Sequence, residues 1–129
     1  MTTEQSIYTY LGGDQTIRSI CARFYELMDQ LPQAKEIRAM HPQDLSSSEE
    51  KLFLFLCGWF GGPQRYIETY GHPRLRARHL PFAINTAAAD AWMTCMRISL
   101  AEHIPNKDVR LQIEDIFARM ATHMRNQGN

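Results

Sequence analysis

The stretch from Arg74 to Trp92, RLRARHLPFAINTAAADAW, decides how this chain is read. It sets His79 behind three alternating arginines, Arg74, Arg76 and Arg78, follows with Pro81 and Phe82, and then opens a segment that carries Trp92. Proline has no backbone N–H and pushes the residue before it out of helical geometry, so the helix bearing His79 stops at Pro81. A neutral imidazole on such a short, proline-ended helix can serve as an axial ligand to a metal or a haem iron, because rigid backbone aims its lone pair. The competing reading, a surface or helix-end histidine, stays open on this segment alone. No other histidine has a comparable setting: His103 and His123 fall near helix ends, and His72 precedes a proline in a loop.

Outward from this segment the chain reads as helices. Thr2 to Leu11 makes a short one, with Thr2 and Gln5 in capping-box spacing and Gly12-Gly13 ending it. Asp14 is placed as the cap of a second helix, in which Ile17, Ile20, Cys21, Phe24, Leu27, Met28 and Leu31 share one broad face with Tyr25 beside it. Gln33 to His41 is a short helical or irregular connection closed by Pro42. Ser47 and Glu50 then signal a helix to about Phe60, whose Leu52, Phe53, Phe55, Leu56, Trp59 and Phe60 cover more than one face. A helix apolar on two sides must be buried on two sides. Partner helices account for one side, and a flat hydrophobic cofactor or a homodimer interface for the other.

Glycine and proline recur from Gly61 to Arg78, which reads as a long loop with one or two helical turns. Asn85 or Thr86 caps the next helix, where Ala88, Ala91, Trp92, Cys95, Met96 and Ser99 form a narrow face that admits another helix or a planar group. Pro105-Asn106 starts the last helix, with Val109, Ile113, Ile116, Phe117, Met120 and Met124 at helical spacing, and the polar tail from Arg125 is expected to fray. No stretch alternates as a strand does, so the fold class is all-α with four main helices.

The length of 129 residues suits one domain over residues 1–129. Fourteen basic and 14 acidic residues leave no net charge, which argues against a dedicated nucleic-acid or membrane-surface binder and against reading the three arginines as a phosphate patch. No apolar run is long enough to span a membrane, and Met1-Thr2-Thr3-Glu4 opens neither a signal nor a transit peptide, so a cytoplasmic location is expected. Cys21, Cys57 and Cys95 are odd in number and sit in apolar helical patterns, as reduced core thiols do. There is no Cys-x-x-Cys-His, so a bound haem would be of b type.

Several rarer features recur in a fixed order: Gly12-Gly13, Phe24-Tyr25, Trp59-Phe60-Gly61-Gly62-Pro63, Tyr66, Gly71-His72-Pro73, Arg78-His79-Leu80-Pro81-Phe82 and Ala91-Trp92. In that order they resemble the group II truncated haemoglobins, or two-over-two globins, from about Ile7 to about Met124. The resemblance implies a truncated globin-like two-over-two helical sandwich around a haem. It makes His79 the proximal iron ligand, packs Phe82 on the haem beside it, and brings Arg78, Lys51 and Tyr66 to the propionates. Leu52, Phe55 and Leu56 become the apolar distal wall. Ser48 takes the place of the gate histidine of many full-length globins, and the donors to a bound ligand become Tyr25, Trp92 and His41. His41 stands where relatives often carry tyrosine or phenylalanine; an imidazole there can donate, or bind the iron as a distal ligand, and an appreciable six-coordinate fraction is expected.

What the resemblance implies of function is reversible binding of O2, NO or CO, in oxygen transport or sensing, by a monomer or weak dimer. The alternative is a nitric oxide dioxygenase or a peroxidase-type detoxifying enzyme, which would need an external reductase because no reductase domain is attached. Whether the chain is an enzyme stays open between these. A third class, a haem-free helical adaptor, would use the aromatic helix as an interface.

Overall fold

Helix ends in the computed structural model, which describes residues 6–127, fall where polar side chains and glycines offer partners to free backbone groups. Helix α1 (Ile7–Leu11) begins at Ser6, whose hydroxyl accepts from the Thr9 N–H, and ends at Gly12 in the left-handed conformation at φ 108°. The expected capping pair Thr2 and Gln5 lies outside the described residues. Helix α2 (Asp14–Gln30) starts one residue earlier than expected: Gly13, at φ 75° and ψ −150°, is the N-cap, and Asp14 is the first helical residue. Glycine takes that conformation without steric cost, so the turn is complete before Asp14. The freed carboxylate instead accepts from the Tyr8 hydroxyl at 2.6 Å and pairs with Arg65 at 3.0 Å.

A 3-10 turn (Pro32–Ala34) and α3 (Lys35–Ala39) lead to α4 (Ser46–Trp59). Here too the start differs from expectation, for Ser47 lies inside the helix and Leu45 is the N-cap, with no side-chain cap of its own. Asp44 accepts from the Ser46 N–H at 2.9 Å, and a carboxylate two residues back competes well with a serine hydroxyl for that first turn. The stretch expected as a long loop with one or two helical turns holds two short helices, α5 (Arg65–Tyr70) and α6 (Leu75–His79), the second ending at His79, before Pro81 as expected. Asn85 caps α7 (Thr86–His103) by accepting from the Ala88 N–H at 2.8 Å. Asn106 caps α8 (Lys107–Met124) through the Val109 N–H at 3.2 Å. All regular structure among the described residues is helical.

Helix α2 packs on α4 and α7 on α8, and the two pairs meet through α2 against α7. This is the two-over-two arrangement. Fully buried Ile17, Ile20, Phe24, Phe53, Met96, Leu100 and Phe117 fill its centre, each large side chain contributing about 1.5–3 kcal/mol by leaving water. Small residues let α2 and α7 approach, and the buried Ser99 hydroxyl donates to the Ile20 carbonyl at 2.7 Å across that seam. The three cysteines are free and buried in this packing, as the sequence pattern indicates.

Two expectations fail at α8. Ile116 is 42% exposed, because the helix rests mainly on α7 and only the narrower stripe through Ile113 and Phe117 is covered. The tail is not frayed where it is described: the Asn126 and Gln127 N–H groups donate to the Ile84 carbonyl at 2.9 and 3.1 Å. Among the described residues no helix is long and apolar enough to cross a membrane.

Candidate functional site

A cavity of about 390 Å³ opens where α2, α4, α6, α7 and α8 converge, a size in which proteins bury cofactors. Every residue picked out above as a candidate lines it. Leu52, Phe55 and Leu56, at helical spacing on α4, form one apolar wall, while Phe53, Cys57 and Phe60 turn the other side of that region into the core. Burial on two sides is thus met by the core and the cavity. Trp59 falls between them, 39% exposed and stacked on Phe117 at 5.1 Å.

Cations gather at the mouth. Lys51 and Arg78 are exposed; the Lys51 ammonium lies 5.5 Å from the Tyr70 ring and the Arg78 guanidinium 5.9 Å from that of buried Tyr66. Phe82 lines the cavity while remaining 41% exposed, as an apolar edge awaiting cover does.

His79, the last residue of α6, places Nδ1 at 2.6 Å from the Leu75 carbonyl. A carbonyl only accepts, so Nδ1 carries a proton, and in the neutral ring Nε2 then keeps a lone pair, the form that binds metal. His41 and His103 are held the same way, by the Ile37 carbonyl at 2.8 Å and the Ser99 carbonyl at 2.7 Å. The lock alone therefore does not mark a ligand; of the three, His79 and His41 line the cavity and His103 does not. For neutral His41 the lock also has a cost in function, because Nε2 can accept or ligate but cannot donate.

Two aromatic donors face the same space. Tyr25 is buried, edge-on to Phe24 at 4.9 Å and to His41 at 5.8 Å, and burial raises its hydroxyl pKa so that it stays a neutral donor. That hydroxyl is only loosely engaged, reaching the Ser48 carbonyl at 3.4 Å. Trp92 is wedged between Phe24 at 5.1 Å and Phe117 at 5.8 Å, and no described residue accepts from its indole N–H.

Sequence reasoning missed part of the lining. Phe117, Met120 and Met124 read as a uniform core stripe, yet the last turns of α8, with Ala121, face the cavity. Their helical period was visible; that the stripe runs out over a void was not. Ile37, Met40, Leu75, Ile84, Ala88 and Ala89 complete the lining from segments whose position depends on the whole assembly.

These side chains fit haem. No three His, Cys, Asp or Glu side chains cluster as a metal site among the described residues, so the His79 nitrogen suits a metal that brings its remaining ligands with it. Apolar walls suit a flat ring, and the cations at the mouth suit its carboxylates.

The profile of the bacterial-like globins matches residues 6–126. The chain is 38% identical over 118 residues to a group 2 truncated haemoglobin of Bacillus subtilis, covering 89% of this chain and 85% of that one. Among solved structures it resembles the group II 2-on-2 haemoglobin of the plant pathogen Agrobacterium tumefaciens, with a TM-score of 0.93, 45% identity and all of both chains covered. A cold-adapted truncated haemoglobin from the Antarctic marine bacterium Pseudoalteromonas haloplanktis TAC125 gives a TM-score of 0.93 at 38% identity, covering 95% of this chain and 99% of that one. Joined to a two-over-two helical frame and an apolar cavity lined by His79, these likenesses make the chain a haem-binding member of the bacterial-like globins, of the group II truncated haemoglobin type.

Proposed function

We propose that this chain is a single-domain, cytoplasmic haem b protein that binds O2, NO or CO reversibly, for oxygen carriage or sensing. The observation that carries the reading is convergence: one apolar cavity is lined both by His79, with Nε2 free, and by two neutral donors, Tyr25 and Trp92. His79 would hold the iron, Lys51, Arg78 and Tyr66 the propionates, and Phe82 with Leu52, Phe55 and Leu56 the faces and edge of the ring. When bound, haem supplies an iron that takes up the diatomic ligand. The Leu75 carbonyl fixes the tautomer of His79 and makes Nε2 a stronger donor of electrons. Tyr25 and Trp92 lack firm partners of their own, so their O–H and N–H are available to a ligand that carries partial negative charge. His41 contributes a lone pair and is the candidate second ligand to the metal. Ser48 leaves the entrance unblocked. The three buried free thiols suit a reducing compartment.

Absorption spectra of the ferric, ferrous and CO-bound protein test the reading, together with His79→Gly. The parent is expected to show a haem band that shifts reversibly with CO, and His79→Gly to lose haem or to need added imidazole. Unchanged haem affinity in His79→Gly would overturn the assignment.

A further inference from the structure

The segment that carries His79 is held by the end of the chain. Helix α6 has five residues and none of them is buried, so apolar packing does little to place it. Polar bonds from beyond α8 take over that task. The Asn126 side-chain amide donates to the Phe82 carbonyl at 2.8 Å and to the His79 carbonyl at 3.3 Å, while its oxygen accepts from the Ile84 N–H at 2.9 Å. Its backbone N–H donates to the Ile84 carbonyl at 2.9 Å. From the other side, the Arg76 guanidinium donates to the His123 and Arg125 carbonyls at 3.1 and 3.0 Å, satisfying acceptors that the end of α8 leaves open.

We infer that Asn126 is a positioning residue for His79: one amide side chain spans residues 79–84, fixes the turn between α6 and α7, and so sets how firmly the proximal imidazole is presented. The inference rests on the reading of His79 as the haem ligand. An asparagine suits the place because it needs a donor and an acceptor at once: the donors serve the Phe82 carbonyl and the second lone pair of the His79 carbonyl, which already accepts from the Phe82 N–H at 3.0 Å, and the acceptor serves the N–H of Ile84. With Arg76 it ties residues 125 and 126 to the segment that carries His79, although neither lines the cavity.

The test compares Asn126→Leu, of similar size but without hydrogen bonds, with Asn126→Asp, which keeps the acceptor and loses the donors. Asn106→Ala, which removes the N-cap at the far end of the same helix, controls for general weakening of α8. Three quantities are read: the iron–histidine stretching band of the ferrous haem protein by resonance Raman, the rate of haem loss to an excess of apomyoglobin, and amide hydrogen exchange over residues 75–84 in the haem-free protein. Asn126→Leu is expected to shift or broaden the band and to speed haem loss and exchange on the order of tenfold, the factor that one hydrogen bond is worth. Asn126→Asp should do the same to a smaller degree, and it decides the matter if Asn126→Leu does not fold. An unmoved band with haem loss no faster than in Asn106→Ala would overturn the inference. If the parent shows no His79-dependent haem spectrum, the reading of the site fails instead. Exchange in the haem-free protein would still show whether Asn126 holds the segment, and equal exchange in parent and variants would overturn that too.

Discussion

The two sides of the cavity are built by different physics. On the distal side, Tyr25 and Trp92 ride on the two longest-range packed helices, α2 and α7, with Phe24 and Met96 fully buried behind them. On the proximal side, His79 ends a five-residue helix with no buried residue, followed by Leu80 at 55% and Phe82 at 41% exposure. Tyr25 and Trp92 thus sit on close-packed aromatic rings, where movement would open voids. His79 sits on a segment placed by directional hydrogen bonds, each worth only about 0.5–1.5 kcal/mol net. Displacing the distal wall means breaking the core; displacing the proximal turn means losing a few polar contacts.

The sharpest way to break this contrast is Phe24→Ala. Phe24 is fully buried and touches both Tyr25 and Trp92, so the variant should lose about 3–5 kcal/mol of stability in denaturant titration and disturb both donors together. A loss near that of a surface substitution would mean that the distal wall is not held by burial. Next in size is Trp92→Phe, which keeps bulk and removes the N–H: O2 dissociation, followed by stopped flow, should quicken on the order of tenfold. An unchanged rate would leave Tyr25 as the donor that counts.

His41→Phe probes the one distal side chain that resembles the proximal side in how it is held, with its ring locked by a carbonyl on short α3. A low-spin fraction in the ferric spectrum of the parent is expected to vanish in this variant. Were the parent wholly high-spin, His41 would not be an internal ligand, and its lone pair would serve only to accept a hydrogen bond.

The smallest effect is expected at the half-buried polar cluster joining α1, α2 and α5. The Tyr8 hydrogen bond, then that of Arg65, holds the Asp14 carboxyl below its ordinary value of 3.8, and the same bond to Asp14 raises the Tyr8 hydroxyl. A lowered carboxyl pKa adds stability that is present above the ordinary value and is lost as pH falls through the lowered one; a raised phenol pKa adds stability that is lost as pH rises through it. Both groups keep part of their surface in water, which screens the interaction, so the gain is small. The difference in melting temperature between the parent and Tyr8→Phe should be largest near neutrality and shrink below about pH 4. A difference that stays constant into acid would show that the bond to Asp14 does not carry it.

What the chain determines by itself is what its neighbours along the chain decide. The 3.6-residue period of Ile17 to Met28 and of Val109 to Phe117, the asparagine caps at Asn85 and Asn106, the stop after His79 and the left-handed Gly12 all follow from residues within a few positions of one another. That His79, Tyr25, Trp92 and the other candidates fall around one cavity was legible as well, through the resemblance carried by rare residue types in a fixed order. Only the tertiary structure decided where several groups compete for one partner or await one from afar. Asp14 leaves the cap because Tyr8 and Arg65 claim its carboxylate, Ser47 yields the helix start to Asp44, and the His41 Nδ1–H is engaged by the Ile37 carbonyl. Residues 126 and 127 are held because polar groups between His79 and Ile84 lie beside Asn126 in space, 42 residues or more away along the chain. Hydrogen bonds act over about 3 Å whatever the separation in sequence, and a local pattern carries no record of partners that only folding brings together.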